Sequence, residues 1–271
     1  MAHVQPAAAG TGRGVAVVTG GSRGIGAACA RLLARAGWTI CLTYRAEQEA
    51  AAAVARDCDT AARQFRAEHG ITGEPTPAVA VGADLADPAS IPGVFATADR
   101  LGPLTVLINN AGVTDRQARV DEITADRLSR MFTVNAIASI LCAGEAVRRM
   151  STRHGGAGGS IVNISSAAAR LGSPGLYVDY AASKGAVDTF TLGLAREIAG
   201  EAVRVNAVRP GIIATDIHAT TGDADRPARM ASSIPVGRPG SAEEVAEAVA
   251  WLCSPAASYT TGAILDVTGG R

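Results

Sequence analysis

Val15-Ala-Val-Val-Thr19-Gly20-Gly21-Ser22-Arg23-Gly24-Ile25-Gly26 is an apolar, β-branched run that breaks into glycines and then into a helical pattern. A run apolar at every position suits a strand buried on both faces of a parallel sheet. The glycines let the chain turn tightly and let its backbone approach a pyrophosphate. The helix that follows would offer its first N–H groups and the positive end of its dipole to the same anion. The spacing is Gly-x-x-x-Gly-x-Gly rather than the more general Gly-x-Gly-x-x-Gly. A tight strand–helix turn without a ligand is the plain alternative.

The same alternation continues along the chain. Strand-like runs are read at residues 15–19, 39–44, 78–82, 105–109, 160–165, 203–208 and 263–267. Helical patterns fall between them at 25–36, 47–69, 87–101, 125–150, 180–198 and 242–253. Such β-α alternation implies right-handed crossovers. The expected fold class is therefore α/β: a single-domain Rossmann fold, a doubly wound parallel sheet of about seven strands with helices on both faces. Residues 14–271 read as one domain, and the Ala-, Gly- and Pro-rich residues 1–13 as a disordered tail. Loops are expected at 70–77 and 155–159. The longest connection, 211–240, has the length of a substrate lid and carries a polar turn, Asp223-Ala-Asp-Arg-Pro.

Composition narrows the function. Lys plus Arg and Asp plus Glu each number 25, so the formal charge is zero. That balance argues against a nucleic-acid partner or an anionic membrane surface. No apolar run reaches the ~18 residues of a membrane helix, and no signal-like segment opens the chain. A cytoplasmic location is expected. Cys29, Cys41, Cys58, Cys142 and Cys253 are odd in number and scattered, without a Cys-x-x-Cys pair, so neither a disulfide framework nor a metal cluster is expected.

Tyr180-Ala-Ala-Ser-Lys184 lies in the helical pattern of 180–198, and four-residue spacing puts both ends on one face. A free tyrosine, with a pKa near ~10, is a poor proton donor or acceptor at neutral pH. A neighbouring ammonium favours the phenolate and lowers that value. The pair is a candidate acid/base device for carbonyl and alcohol chemistry. A rival reading uses Ser22: Gly20-Gly21-Ser22-Arg23-Gly24 fits the Gly-x-Ser-x-Gly nucleophile elbow of a serine hydrolase. Of the downstream histidines, His69, His154 and His218, only His218 in the long loop could act as its base.

Five motifs in order, Thr19–Gly26, Asp84-Leu85, Asn109-Asn110-Ala111-Gly112, Ser165-Ser166 with Tyr180-x-x-x-Lys184, and Pro210-Gly211 with Thr215, resemble the short-chain dehydrogenase/reductase family. The resemblance runs from Gly14 to Gly270 and is closest in flavour to 3-oxoacyl-carrier-protein reductases and glucose 1-dehydrogenases. It implies a catalytic set of Asn135, Ser166, Tyr180 and Lys184. Ser166 would hold the substrate oxygen, and Asn135 would link Lys184 to solvent through water. It further implies a nicotinamide cofactor held by the glycine turn (Gly20, Ser22, Arg23, Gly24, Ile25, Gly26) and by Asp84 and Leu85 at the adenine. Asn110, Ala111 and Gly112 would line the adenosine side. Pro210, Gly211, Ile213 and Thr215 would cradle the nicotinamide end beside Tyr180 and Lys184. The implied partner is a small carbonyl or alcohol substrate, and the implied assembly a homotetramer built through the helix at 125–150 and the last strand. One departure stands out. The usual serine lies thirteen residues before the tyrosine, whereas position 167 is alanine and Ser166 lies fourteen before Tyr180. A one-residue insertion at 173–178 is expected, with Ser165 and Ser173 as alternatives for the serine role.

Strand 39–44 ends Leu42-Thr43-Tyr44-Arg45, with no acid until Glu47, which opens the next helix. An acid at that strand end would bind a ribose 2′-hydroxyl and select NAD(H). Tyr44 and Arg45, with Arg23 from the glycine turn, instead favour the 2′-phosphate of NADP(H), since arginine suits phosphate contacts; NAD(H) stays open. A nucleotide-sensing Rossmann protein without turnover is the other alternative, because fold alone does not license chemistry.

Overall fold

A strand buried on both faces needs helices above and below it, and the alternation of side chains along β1 (Val15–Val18) shows both layers. Ala16 and Val18 join a core with Leu33, Val54, Val245 and Leu252, while Val15 and Val17 join one with Phe95, Ala143 and Met150. The structure is a computed structural model and describes residues 13–215, 223 and 225–271.

Among the described residues, β2 (Thr39–Tyr44), β3 (Val79–Gly82), β4 (Leu104–Asn109), β5 (Gly159–Ile164), β6 (Val203–Pro210) and β7 (Ile264–Val267) complete a parallel sheet with β1. Its order is β3-β2-β1-β4-β5-β6-β7. The order reverses between β1 and β4, so the crevice above their carboxyl ends is where a doubly wound sheet binds its ligand. One face carries α1 (Gly24–Arg35), α2 (Gln48–Glu68) and α9 (Ala242–Cys253). The other carries α3 (Ile91–Asp99), α5 (Ala138–Met150) and α7 (Val178–Glu197). The remaining helices are α4 (Ala125–Phe132), α6 (Ala168–Leu171) and α8 (Arg226–Met230). All five cysteines are buried free thiols.

Two helical expectations change. The helix expected at 87–101 starts as a 3₁₀ turn, Pro88–Ser90, because Asp87 caps it by accepting the Ala89 N–H at 3.0 Å, and α3 proper follows. The single helix expected at 125–150 is interrupted by a π-turn, Thr133–Ile137, centred on buried Asn135. Such turns insert one residue into a helix and recur at functional sites. This 26-residue stretch is also long and apolar enough, by composition alone, to span a membrane, contrary to the sequence reading. Ala138, Cys142, Ala143, Ala146 and Met150 are packed into the core under β4 and β5, which accounts for that composition as a core helix.

Of the expected tail at 1–13, only Arg13 falls within the described residues. Its N–H donates to the Gly37 carbonyl and its guanidinium lies 4.9 Å from the Trp38 ring centroid. His218, the one candidate base for a Ser22 nucleophile, lies outside the described residues.

Candidate active site

The glycine turn is held from both flanks. Gly20 N–H donates to Thr43 Oγ1 at 3.0 Å and Gly21 N–H to the Thr43 carbonyl at 2.8 Å. Asn110 Nδ2 donates to the carbonyls of Thr19 and Gly20, both at 2.9 Å. Thr19 Oγ1 accepts the N–H groups of Asn110 and Ala111. Gly20 and Gly24 have φ of +64° and +54°, a region glycine enters without strain. At Gly26 a Cβ would fall 2.5 Å from Asn110 Nδ2 and closer still to the Gly20 carbonyl, so only glycine lets α1 close against the turn. Arg23 sits at the N-cap without a side-chain cap, leaving the first N–H groups of α1 to a ligand.

Two hollows open along the carboxyl ends of the strands. The smaller, 280 Å³, is lined by Gly20, Ser22, Arg23, Gly24, Tyr44, Arg45, Asp84, Leu85 and Ala111 among others. The larger, 510 Å³, is lined by Ser166, Tyr180, Lys184, Pro210, Gly211 and Ile213 among others. Ile25, Asn110, Gly112 and Thr215 line both, so the two are compartments of one groove. An anion-seeking helix end, glycines that admit a close backbone approach and a groove of two compartments fit a dinucleotide. Asp84 takes the Ala86 N–H at 3.0 Å as a local turn and still lines the smaller compartment. Glu47 opens α2 at its N-cap position, without a side-chain cap, and lines that compartment too, beside Arg45.

In the larger compartment α7 places Tyr180 and Lys184 on one face. Lys184 is 4% exposed and its Nζ donates to the Ile164 carbonyl at 2.7 Å, 5.8 Å from the Tyr180 ring centroid. Burial pulls this ammonium down to about 8, against the opposing charge of Asp188. The phenol behaves differently from the expectation. Burial pushes Tyr180 up, and the hydrogen bond with Ser166, rather than Lys184, works against the rise. The reason is geometric: Lys184 Nζ is drawn to the end of β5, under the ring rather than at the hydroxyl.

The two serines that follow β5 make different contacts. Ser165 is buried and donates to the Lys184 carbonyl at 3.3 Å, tying β5 to α7. Both serines line the larger compartment, and of the two it is Ser166 that acts on the Tyr180 phenol. Between Gly172 and Tyr177 the chain makes a tight turn, with positive φ at Gly172, Ser173 and Gly175, and the N–H groups of Leu176 and Tyr177 directed at the Ser173 carbonyl. Ser173 lines the cavity wall.

Asn135 and Gly26 lie behind the lining. Asn135 Oδ1 accepts the Val113 N–H at 2.7 Å, and its Nδ2 donates to the Val113 carbonyl at 2.9 Å and to Ser183 Oγ at 3.0 Å. A Cβ on Gly112 would sit 3.4 Å from both Asn135 Oδ1 and Lys184 Nζ, so the two side chains are neighbours across that glycine. The amide of Asn135 is thus engaged in holding the Val113 segment.

A sequence profile described as enoyl-(acyl carrier protein) reductase matches residues 20–271. An Escherichia coli relative, uncharacterized oxidoreductase YgfF, is 46% identical over 258 residues, covering 95% of this chain and 99% of its own. The chain is a short-chain dehydrogenase/reductase. A Serratia marcescens short-chain dehydrogenase/reductase superposes with a TM-score of 0.81 at 36% identity, covering 96% of this chain and 98% of the other. A Burkholderia cenocepacia short chain dehydrogenase, solved in complex with NADP, superposes at 0.80 and 33% identity, covering 95% and 97%. Membership in an oxidoreductase family displaces the serine hydrolase reading. Ser22 lies in the groove, but neither His69 nor His154 lines it.

Several residues at this dehydrogenase/reductase site escaped the sequence reading. Asp188 stands one turn beyond Lys184 and pairs with Arg209 at 2.8 Å; the i, i+4 spacing was its signal. Asn163 and Thr191 continue a buried chain from Asn109, the first residue of the Asn-Asn-Ala-Gly motif. Arg127 and Asp179 form a buried pair at the start of α7, with separations of 2.7 and 3.2 Å. Fifty-two residues apart, they had no local signal.

Proposed function

We propose that this short-chain dehydrogenase/reductase interconverts a carbonyl and a secondary alcohol with NADP(H), using Tyr180 as the general acid and base. The observation that carries the reading is that Tyr180, Ser166 and buried Lys184 line one compartment of a groove that begins at an uncapped helix N-terminus. Bound in this groove, the nicotinamide cofactor supplies the hydride. Ser166 holds the carbonyl oxygen by hydrogen bonding. Tyr180 donates its proton to that oxygen as negative charge develops on it, and takes a proton back when the alcohol is oxidised. Lys184 presents a cation to the cofactor ribose and lies against the face of the Tyr180 ring. Asn135 keeps the Val113 wall in place behind Lys184. The test is cofactor absorbance with NADPH and NADH in parallel against ketones, β-ketoacyl thioesters and sugars. No turnover of any of them, with NADPH tightly bound, would shift weight to a nucleotide-sensing protein.

NADP(H) is favoured by two exposed guanidinium groups, Arg23 and Arg45, that line the smaller compartment and make no ion pair among the described residues. Arg23→Ala with Arg45→Ala is expected to weaken NADPH binding by roughly tenfold or more while leaving NADH nearly unchanged, the size of one to two charge-assisted contacts. Equal loss for both cofactors, read by calorimetry, would oppose the assignment.

We also infer a homo-oligomer. Leu128, Ile137, Ile140 and Leu141 on α4–α5 and Leu192 on α7 are exposed apolar side chains on adjacent helices. Light scattering is expected to show an assembly larger than a dimer, and a monomer would refute it.

A further inference from the structure

Among the described residues, the larger compartment is lined by cationic side chains and by no acidic one. Its walls are mostly apolar, with Leu171, Pro174, Leu176 and Ile212. Two of its lining residues are arginines, Arg226 and Arg271. Four arginines of neighbouring elements carry acidic partners. Arg170 meets Asp266, Arg209 meets Asp188, Arg229 meets Asp223 and Arg238 meets Glu244. Arg226 instead rests its guanidinium over the Tyr177 ring, 5.1 Å from the centroid, three residues from the catalytic tyrosine. A ring face orients a guanidinium and leaves its N–H edge free to donate. A half-buried cation beside apolar walls loses hydration without gaining a counter-charge, a cost that an anionic ligand relieves.

We propose that the substrate is a carbonyl compound carrying a carboxylate, and that Arg226, braced on Tyr177, binds that carboxylate while Ser166 and Tyr180 hold the carbonyl. This rests on the carbonyl–alcohol reading above and adds the substrate's charge to it. Arg226 is a specificity residue: it reads the far end of the substrate and takes no part in proton transfer.

The probes are acetoacetate and levulinate, each beside its methyl ester, which keeps the shape of the acid and removes the charge. Wild type is expected to prefer the acids. Arg226→Gln is expected to lower kcat/KM for the acids by about 10- to 100-fold, the worth of a charge-assisted contact, chiefly through KM, and to leave the esters within about twofold. Calorimetric binding of levulinate to the NADP-loaded protein gives the same comparison without turnover. Equal loss on acid and ester overturns the proposal, as does a wild type that prefers the esters or fails to bind levulinate. Weaker NADPH binding by Arg226→Gln also overturns it, assigning the guanidinium to a cofactor phosphate. Tyr180→Phe separates the two readings: it should abolish turnover of acid and ester alike, with levulinate binding retained. Undiminished turnover there would overturn the hydride-transfer reading rather than the assignment of Arg226.

Discussion

Replacing Tyr180 with phenylalanine is expected to lower turnover by roughly 10²–10⁴-fold, the contribution of a positioned general acid. The substitution removes one hydroxyl and keeps the ring under which Lys184 lies, so NADPH binding and thermal stability should hardly move. The loss should fall on kcat, because the proton is needed as charge develops on the oxygen. The pH dependence should be lopsided. Burial raises the phenol, so Tyr180 stays protonated across neutral pH and is ready to donate. Reduction should therefore be flat through neutrality. Oxidation needs the phenolate and should climb with pH. Lys184, brought down to about 8, is charged at neutrality and loses its charge just above it, so its help to the phenolate fades as that form becomes available. Near-normal kcat in Tyr180→Phe, or an oxidation rate indifferent to pH, would exclude this tyrosine from the proton transfer.

Local pattern carried most of the fold. Each strand expected from apolar, β-branched runs is present within two residues at either end, because a central parallel strand must be apolar on both faces and little else looks like that. The glycine turn was legible for the same kind of reason: Gly20 and Gly26 are required by backbone angle and by close approach, and both constraints leave their mark in sequence. The Tyr180–Lys184 pair was readable through helical spacing. What spacing could not give was direction. Ser165 and Ser166 are adjacent and both line the groove, and only the fold ties Ser165 to the Lys184 carbonyl and leaves Ser166 to the phenol. Asn135 looked like a polar intrusion in an apolar helix. The π-turn that aims its amide at Val113 depends on tertiary contacts, not on propensity. Arg226 resembles any loop arginine until Tyr177 is seen beneath it.

Arg127→Met should be the most destabilising single change at this site. Asp179 has 1% of its side chain exposed and Arg127 13%, and the guanidinium grips both carboxylate oxygens while donating to the Arg116 carbonyl at 2.8 Å. Burial alone would raise the Asp179 carboxyl; the Arg127 hydrogen bond and the Tyr180 N–H outweigh it and leave it lowered. A carboxyl lowered on folding contributes stability above its unfolded pKa, near ~3.9, and loses it as pH falls through the folded value. Without Arg127 the balance reverses. Asp179 remains buried with its charge uncompensated, which typically costs about 3–5 kcal/mol. At roughly 2–4 °C per kcal/mol for a chain of this size, the melting temperature should fall by about 6–20 °C. The sign of the pH dependence should also change, since a buried unpaired carboxyl is better tolerated when protonated; the variant should regain stability relative to wild type as pH drops from neutrality toward 5. Arg127→Met with Asp179→Leu removes both charges and should recover most of the loss, because a buried ion pair is often matched by apolar residues of similar volume. Catalysis should register the single change as well. Asp179 precedes Tyr180 in the first turn of α7, and its carboxylate accepts the Tyr180 N–H, so a shifted Asp179 displaces the phenol from Ser166. Thermal melts of both variants at neutral and acidic pH decide the matter. A single variant melting within about 2 °C of wild type, or a double variant no better than the single, would mean that the pair does not hold the start of α7 in place.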